Sequence, residues 1–300
     1  MIAPAVPAGT SPRPRSRAWR RFGRNKAALL GLLLCLLMVG AALLAPGLAP
    51  HDPDFQFPEG LTLEGAPLPP GSVSGSDHFP LGTDLLGRDL LSRLIWGARA
   101  SLTVGLVSNL VAVLLGLLIG ALGALTRGAL GTLIMRFTDV MLAFPVLLLA
   151  IALTAILKPS LWIVALVIAF LNWVPIARVV YSEVASLRER EFVEAAQAVG
   201  ASAGRVLIRH VLPHLLPTAL VWGSLGVGTS VLLEATLSFL GVGVQPPTPS
   251  WGGIINESQS YLTTAPWLVL APGVAILLTS LGFNLLGEGL RDALDPRGGQ

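Results

Sequence analysis

The sequence predicts an all-α integral membrane protein with six transmembrane helices, and three observations support this fold class. Hydrophobic side chains make up 53% of the 300 residues and charged side chains only 12%, about half of the roughly 25% that a soluble domain carries. The mean hydropathy is +0.73, and six long apolar runs account for it. A single soluble catalytic domain is therefore excluded. So is a disordered chain, which needs low hydrophobicity and high net charge.

Each of the six runs holds about 20 mostly apolar residues, the length that a helix needs to cross roughly 30 Å of hydrocarbon. The runs are 27–49, 101–125, 137–157, 160–180, 215–240 and 264–287. An even number of spans places both termini on one side of the membrane. The chain divides into a basic tail, a first helix, a loop with an amphipathic helix, a core of five helices and a second tail, at 1–26, 27–49, 50–100, 101–290 and 291–300.

The distribution of charge predicts the orientation. Residues 1–26 hold seven Lys or Arg and no acid, whereas 50–100 holds seven acids against three Arg, and 182–212 holds four Arg. Lys and Arg concentrate in cytoplasmic segments, so both termini and 182–212 are expected in the cytoplasm and 50–100 outside. A cleaved signal peptide, including a twin-arginine type at Arg20-Arg21, is the alternative for the N-terminus. Its apolar part would be about 7–15 residues, and the run here continues to Leu44, which favours a retained helix.

Several partner and cofactor classes are excluded by what the sequence lacks. The net charge is only +3 and no basic stripe lies beyond the N-terminus, so nucleic acid is not an expected partner, whereas anionic membrane lipid is expected at the basic tail. The single cysteine, Cys35, rules out a disulfide within the chain and a cysteine metal cluster. No phosphate-binding loop, nucleophile elbow or zinc-protease motif is present. The chain is therefore not expected to be an enzyme or to bind a metal or cofactor.

The segment between the fourth and fifth spans predicts two short helices joined by a tight corner. The first runs from Glu191 to Val199, and Gly200 can take the left-handed conformation that stops it. Ser202 can cap a second helix, which Pro213 is expected to end. A pair of helices lying on the membrane surface explains this pattern equally well.

The residues at these positions point to a family. The segment resembles the EAA loop of ABC-importer permease subunits. The positions that match the family pattern are Glu194, Ala195, Ala196, Gly200, Leu212 and Pro213, and His210 is the one position that differs. The family usually has isoleucine where this chain has His210. The sequence Arg-His-x-Leu-Pro at that place is typical of the peptide-importer branch.

Three further segments are similar to the dipeptide/oligopeptide/nickel permease family, in its C-type subunit. They are Leu81–Arg99, Glu234–Gly252 and Phe283–Arg297, and the resemblance extends over about 20–297. Glu288 stands where the last motif usually has aspartate, which is a conservative departure.

The resemblance implies a type I ABC importer permease fold with a cytoplasmic coupling helix, in a bacterial inner membrane. It implies four kinds of partner: a second, B-type permease, two ATPase subunits that bind ATP and magnesium, an extracytoplasmic solute-binding protein, and membrane lipid. The cargo stays open among di- and oligopeptides, nickel chelates, glutathione and sugars. A secondary transporter would need an inverted repeat and broken helices around an ion site, and neither is evident. A membrane scaffold without transport activity is the other alternative.

Candidate site residues fall into an inner, a central and an outer group. The coupling loop forms the inner group. In the central group, Glu234 is the best candidate to line the transport pathway, because an unneeded acid inside a membrane is costly; a structural partnership at the outer mouth is the alternative. Asn172 could contact substrate or hydrogen-bond a neighbouring helix.

The outer group belongs to a predicted amphipathic helix over 83–99, capped by Thr83. Two i,i+4 ion pairs are expected on it, Asp84–Arg88 and Asp89–Arg93. The helix could lie flat on the outer membrane surface or form a scaffold near the external gate. Trp251, in the loop after the fifth span, could anchor at the membrane interface or dock the receptor.

Overall fold

A computed structural model describes residues 19–126 and 128–294. In the described part of the first half, helices α1 to α6 lie at Lys26–Leu43, Ala45–Leu48, Leu90–Leu125, Ala129–Leu142, Val146–Leu157 and Leu161–Arg188. A short antiparallel hairpin precedes α3, with strands β1 at Ser72–Ser74 and β2 at Asp77–Phe79. The second half contains α7 to α11, at Glu191–Ala198, Ala203–Val206, Leu212–Phe239, Trp251–Glu257 and Trp267–Leu294.

Five helical segments in the described part are long and apolar enough to cross a membrane: α1, α3, α6, the stretch Gly204–Phe239 that contains α9, and α11. The predicted third span is wrong as a straight helix. It is the pair α4 and α5, which meet at a bend of 90° and together give a sixth candidate span. Pro145 is the N-cap of α5; proline lacks the N–H that a continuous helix needs and disfavours helical geometry at Phe144 before it.

The predicted amphipathic helix over 83–99 is also wrong. The helix begins at Leu90, where the Asp89 carboxylate accepts from the backbone N–H of Leu91 and Ser92, and it continues unbroken to Leu125. Upstream, Asp84 Oδ1 accepts from the backbone N–H of Leu86 at 2.9 Å and of Arg88 at 3.0 Å. Acidic side chains that bind nearby amides in this way replace helical hydrogen bonds with a turn. Thr83 therefore precedes a turn, forms a β-bridge with Asp89 across it, and caps no helix.

The core forms where α3 packs along α6 and α9, and α11 packs between α9 and α1. Close approach of α3 to α6 depends on small residues. A Cβ on Gly116 would lie 2.6 Å from the Ile176 side chain, and one on Gly120 would collide with the Ala177 carbonyl. Transmembrane helices use such small residues to approach closely, because lipid offers no hydrophobic force between them.

Residues 50–89, which belong to the predicted outer loop, form a folded outer unit. Its apolar centre is an aromatic cluster in which the ring of Phe57 lies 5.0 Å from the rings of His51 and Phe79 and 4.7 Å from that of Phe55. The Thr83 hydroxyl donates to the Gly60 carbonyl and accepts from the Leu68 amide. The His51 amide donates to the Ser92 hydroxyl at 3.0 Å, and this contact connects the unit to the start of α3.

The coupling segment contains the corner that the sequence predicts, but its second helix does not end at Pro213. Gly200 has φ +87°, and the Ser202 hydroxyl accepts from the Arg205 amide at 3.4 Å. Beyond α8, one π-helical turn at Leu207–Val211 leads directly into α9. Pro213 falls in the first turn of α9, where a missing N–H is tolerated, and the wider π turn bridges the change in hydrogen bonding.

Candidate functional site

The coupling helix α7 is anchored on one face and open on the other. Val193, and after the corner Val206 and Val211, are fully buried against the cluster that α3 and α6 form. Glu194 and Ala195 are exposed on the opposite face. Just after the helix, Val199 is 90% exposed. The helix therefore presents a small, partly apolar surface to something outside this chain.

Aromatic contacts join α7 to the beginning of α9. The Phe192 ring stacks on the His214 ring at 5.4 Å and lies 6.4 Å from that of His210. His214 Nδ1 lies 2.7 Å from the His210 carbonyl oxygen. The residues of the predicted inner group differ in exposure. The exposed ones are Glu194, Ala195, Gly200 and Pro213, and the half-buried ones are Ala196, His210 and Leu212. They share one surface region at the α7–α9 corner.

At the other end of the bundle, four charged side chains form a compact cluster. Arg88 Nε lies 2.6 Å from Asp84 Oδ2, and Arg88 Nη2 lies 2.9 Å from Glu257 Oε2. Arg93 reaches the same two carboxylates, at 3.2 Å from Asp84 and 3.0 Å from Glu257. Arg93 is only 1% exposed. We call Asp84, Arg88, Arg93 and Glu257 the outer ion cluster; it joins the turn before α3, α3 itself and α10.

The Asp84–Arg88 pair forms as predicted, but the predicted Asp89–Arg93 pair is absent from the described residues. Asp89 is fully buried and accepts from the Ser92 hydroxyl at 2.6 Å. Its other neighbour is His51, whose Nδ1 lies 3.3 Å from Asp89 Oδ2. The N-cap role occupies Asp89 because the first amides of a helix need an acceptor.

Trp251 is only 1% exposed and does not serve as an anchor at the membrane surface. Its indole N–H donates to the Leu94 carbonyl at 3.0 Å, and its backbone N–H donates to the Ser101 hydroxyl. A Cβ on Gly97 would lie 3.2 Å from the indole. The residue connects the start of α10 to α3, behind the outer ion cluster.

The two central candidates both hydrogen-bond serines of α9. Glu234 is fully buried and accepts from the Ser238 hydroxyl at 2.7 Å; Ser101 and Ser250 are the other hydroxyls around its carboxyl group. The Ser238 hydroxyl also accepts from the Val244 amide at 3.0 Å. Asn172 donates to the Ser230 hydroxyl at 3.2 Å, a contact between α6 and α9. Their role in the pathway stays a prediction.

Sequence reasoning missed two residues of these sites. Glu257 gives the outer ion cluster its second carboxylate, but it lies more than 160 residues from its arginine partners, so no local spacing could reveal it. Asn109 is buried in α3 and donates to the Gly223 carbonyl of α9 at 2.6 Å. A polar side chain inside an apolar run was the available signal. Within the described residues, no group of three or more His, Cys, Asp or Glu could hold a metal ion.

Relatives with known assignments match nearly the whole chain. A di/tripeptide transport system permease protein, DppC, of Pseudomonas aeruginosa is 44% identical over 98% of this chain and 96% of its own length. A dipeptide transport system permease protein of Alkalihalophilus pseudofirmus is 40% identical over 96% of this chain and 91% of its own. A glutathione transport system permease protein, GsiD, of Pectobacterium atrosepticum is 39% identical over 95% of this chain and 91% of its own.

A solved structure and two family models complete the comparison. A chain of the MetNI methionine ABC transporter, in inward-facing conformations, superposes with a TM-score of 0.51 at 21% identity, over 67% of this chain and 97% of that one; this likeness supports the fold. The N-terminal transmembrane domain of oligopeptide transport permease C matches residues 13–70. The binding-protein-dependent transport system inner membrane component matches residues 112–299. The chain therefore belongs to this last family, as a multi-pass membrane permease subunit of the ABC importer type.

Proposed function

We propose that this chain is the C-type permease of an ATP-driven importer that moves short peptides from an external solute-binding protein into the cytoplasm. The named relatives support a peptide cargo, because di/tripeptides, dipeptides and glutathione are all short peptides. A second permease and two ATPase subunits complete the complex. The ATPases bind ATP and magnesium, and this chain transmits their motion.

The observation that carries this proposal is the two-sided packing of α7. Val193 is buried against the bundle while Glu194, Ala195 and Val199 project from it. A short helix with good internal anchorage and an uncovered apolar edge is suited to seat in a cleft of another subunit. Because helix Gly204–Phe239 follows the corner as one continuous segment, a displacement of α7 is passed along α9 to its far end.

That far end is connected to the outer ion cluster through the loop after α9 and through α10. Ser238, one turn beyond Glu234, connects α9 to the loop at Val244, and the loop continues into α10, which carries Glu257. The outer ion cluster fixes α10 to α3. We propose that the outer unit and α10 together receive the solute-binding protein, and that movement of α9 beneath them opens or closes the external access to the pathway. Glu234 and Asn172 hold α9 in register during that movement.

Two exposed apolar residues at opposite ends of the molecule allow a test of whether an ATPase subunit binds at α7. Val199 is 90% exposed beside α7, and Leu63 is fully exposed in the outer unit. In the assembled complex, Val199→Glu is expected to reduce the ATPase subunits that co-purify with this chain, because a charge would be buried at this contact. Leu63→Glu is the matched control and should leave their stoichiometry unchanged.

Peptide uptake by proteoliposomes that contain all subunits tests the proposed ATP-driven transport and its peptide cargo. Labelled dialanine and glutathione are supplied with the solute-binding protein on one side and ATP on the other. ATP-dependent uptake of at least one is expected. Undiminished ATPase binding in Val199→Glu, together with unchanged uptake, would show that α7 is only a helix on the membrane surface.

We propose further that the chain lies in a bacterial inner membrane with both termini in the cytoplasm, and the Lys and Arg counts support this orientation. Single cysteines at Ser76 and Gly204, in a Cys35→Ser background, test it. Both positions are exposed, and a Cβ at Gly204 meets no atom within 4 Å. An impermeant thiol reagent should label Ser76→Cys in intact cells and Gly204→Cys only after permeabilisation. The reverse pattern would overturn the topology.

A further inference from the structure

A cleft of about 690 Å³ opens between α6, α9 and α11, at the end of the bundle that carries the coupling segment. Its volume lies within the roughly 300–1,000 Å³ that small-molecule sites occupy. None of the residues that the sequence analysis assigns to a site, apart from Pro213, lines it. The walls are apolar for the most part, with a small number of polar groups that have opposite charges.

The acidic wall belongs to α6. Glu183 lines the cleft and accepts from the Thr218 hydroxyl of α9 at 2.7 Å, a contact that fixes the orientation of the carboxylate. A second acceptor lies close along the chain. Pro217 has no N–H, so the Pro213 carbonyl lacks its usual helical donor, and both prolines line the same cleft. A carboxylate and a free carbonyl are the groups that a primary ammonium binds.

The basic wall belongs to α11. Arg291 lines the cleft and is exposed, and within the described part of the chain no carboxylate forms an ion pair with it. A guanidinium binds carboxylates with two parallel hydrogen bonds. Between the two walls, the half-buried Trp222 supplies an apolar surface. The cleft therefore combines an ammonium-binding wall, a carboxylate-binding wall and an apolar floor.

We propose that this cleft binds the zwitterionic backbone of a short peptide, with its ammonium group at Glu183 and its carboxylate at Arg291. The identity of the ligand rests on the peptide cargo of the proposed function. At this end of the bundle, the cleft is a product-side site. A peptide bound there bridges α6 and α11 across α9, so that peptide accumulated in the cytoplasm slows the movement of α9 and limits further import.

Peptides blocked at one end test the assignment of the two walls. The complete complex is placed in nanodiscs without its solute-binding protein, and dialanine, N-acetyl-dialanine and dialanine amide are titrated by calorimetry. Each blocked peptide should bind about tenfold more weakly than dialanine, the loss expected when a charge-assisted contact is removed. Glu183→Gln should abolish the penalty for acetylation and keep the penalty for amidation. Arg291→Gln should do the opposite.

The matched control is Glu288→Gln, an exposed acid of α11 outside the cleft lining, which should keep all three affinities. Equal binding of the three peptides to the parental complex, or unchanged preferences in both cleft variants, would overturn the proposal; a cleft filled by lipid or by an ATPase subunit would give this result. Uptake measured in parallel separates the two ideas. If dialanine uptake is ATP-driven but the two variants do not change the affinities for blocked peptides as expected, only the cleft proposal is overturned. If the variants change these affinities as expected but no uptake occurs, only the proposed import of peptides is overturned.

Discussion

The outer turn around Asp84–Arg93 and the coupling segment around Glu191–Val211 have similar predicted structures but different observed ones. Both predict short amphipathic helices beside a membrane. In the outer turn the charged side chains are buried and paired within the chain, and no separate helix forms. In the coupling segment the helices form, yet the acid of the EAA motif is exposed, as are the apolar residues Val199 and Ile208.

The difference shows which end of the molecule pairs its charges within this chain alone. Every member of the outer ion cluster has a partner of opposite charge inside the chain, so this end needs no other subunit to satisfy its charges. The coupling segment leaves apolar surface uncovered and thus is completed only by a partner. A change at the outer end should therefore act first on the stability of this chain, and a change at the inner end on assembly and transport.

The largest expected effect is on the outer ion cluster. Arg93→Met leaves Asp84 and Glu257 with one arginine between them, and breaking a buried charge network typically costs about 3–5 kcal/mol. Arg99→Met is the matched control, because Arg99 is exposed and lies 5.6 Å from the Trp96 ring as a cation–π contact. Thermal unfolding of the purified subunit pair should show a large decrease for Arg93→Met and little change for Arg99→Met. Equal melting temperatures would mean that the cluster contributes nothing to stability.

The next effect is at the inner end, at Gly200. Its φ of +87° costs a residue with a side chain about 1–2 kcal/mol, and a β-branched residue more. Gly200→Val should leave the subunit inserted and as thermally stable as the parent to within that amount, but lower both uptake and ligand-stimulated ATP hydrolysis. Gly200→Asn is the graded control, since asparagine tolerates this conformation.

A Cβ at Gly200 meets no atom within 4 Å inside the chain. Steric conflict with this chain's own residues is therefore not the cause, and the expected loss comes from backbone strain and from the partner subunit. If Gly200→Val and Gly200→Asn transport equally well at the parental rate, the corner has no coupling role.

The smallest effect is expected at Glu234. Gln can still accept the hydrogen bond from Ser238 and fills the same volume, so the connection between α9 and the Val244 loop is kept. Glu234→Gln should assemble normally and retain uptake to within about twofold, a change that corresponds to less than ~0.5 kcal/mol. Uptake assays with Ser238→Ala in parallel show whether the connection itself matters. Normal assembly with loss of uptake in Glu234→Gln would instead support the charged pathway role.

Composition and periodicity were sufficient for several features of this protein. The six apolar runs correspond to the spans or to the bent pair, and the corner at Gly200 has the positive φ that the sequence predicts. The family that the motifs indicate is the one that the comparisons show. These features are local: a span is set by the apolarity of about 20 consecutive residues, and a helix stop by one residue that tolerates positive φ. Neither requires knowledge of what packs against it.

Only the tertiary structure decided the partners of the polar residues. Arg93 pairs with Glu257 and Asp84 and not with Asp89, Trp251 lies under α3, and Asn109 reaches the backbone of α9. An i,i+4 spacing predicts an ion pair only if both residues lie inside the helix. Asp89 is instead the N-cap of the helix that begins at Leu90, so it does not pair with Arg93. A buried charge takes the partner that the fold brings within hydrogen-bond distance, because an unpaired charge away from water is too costly to keep.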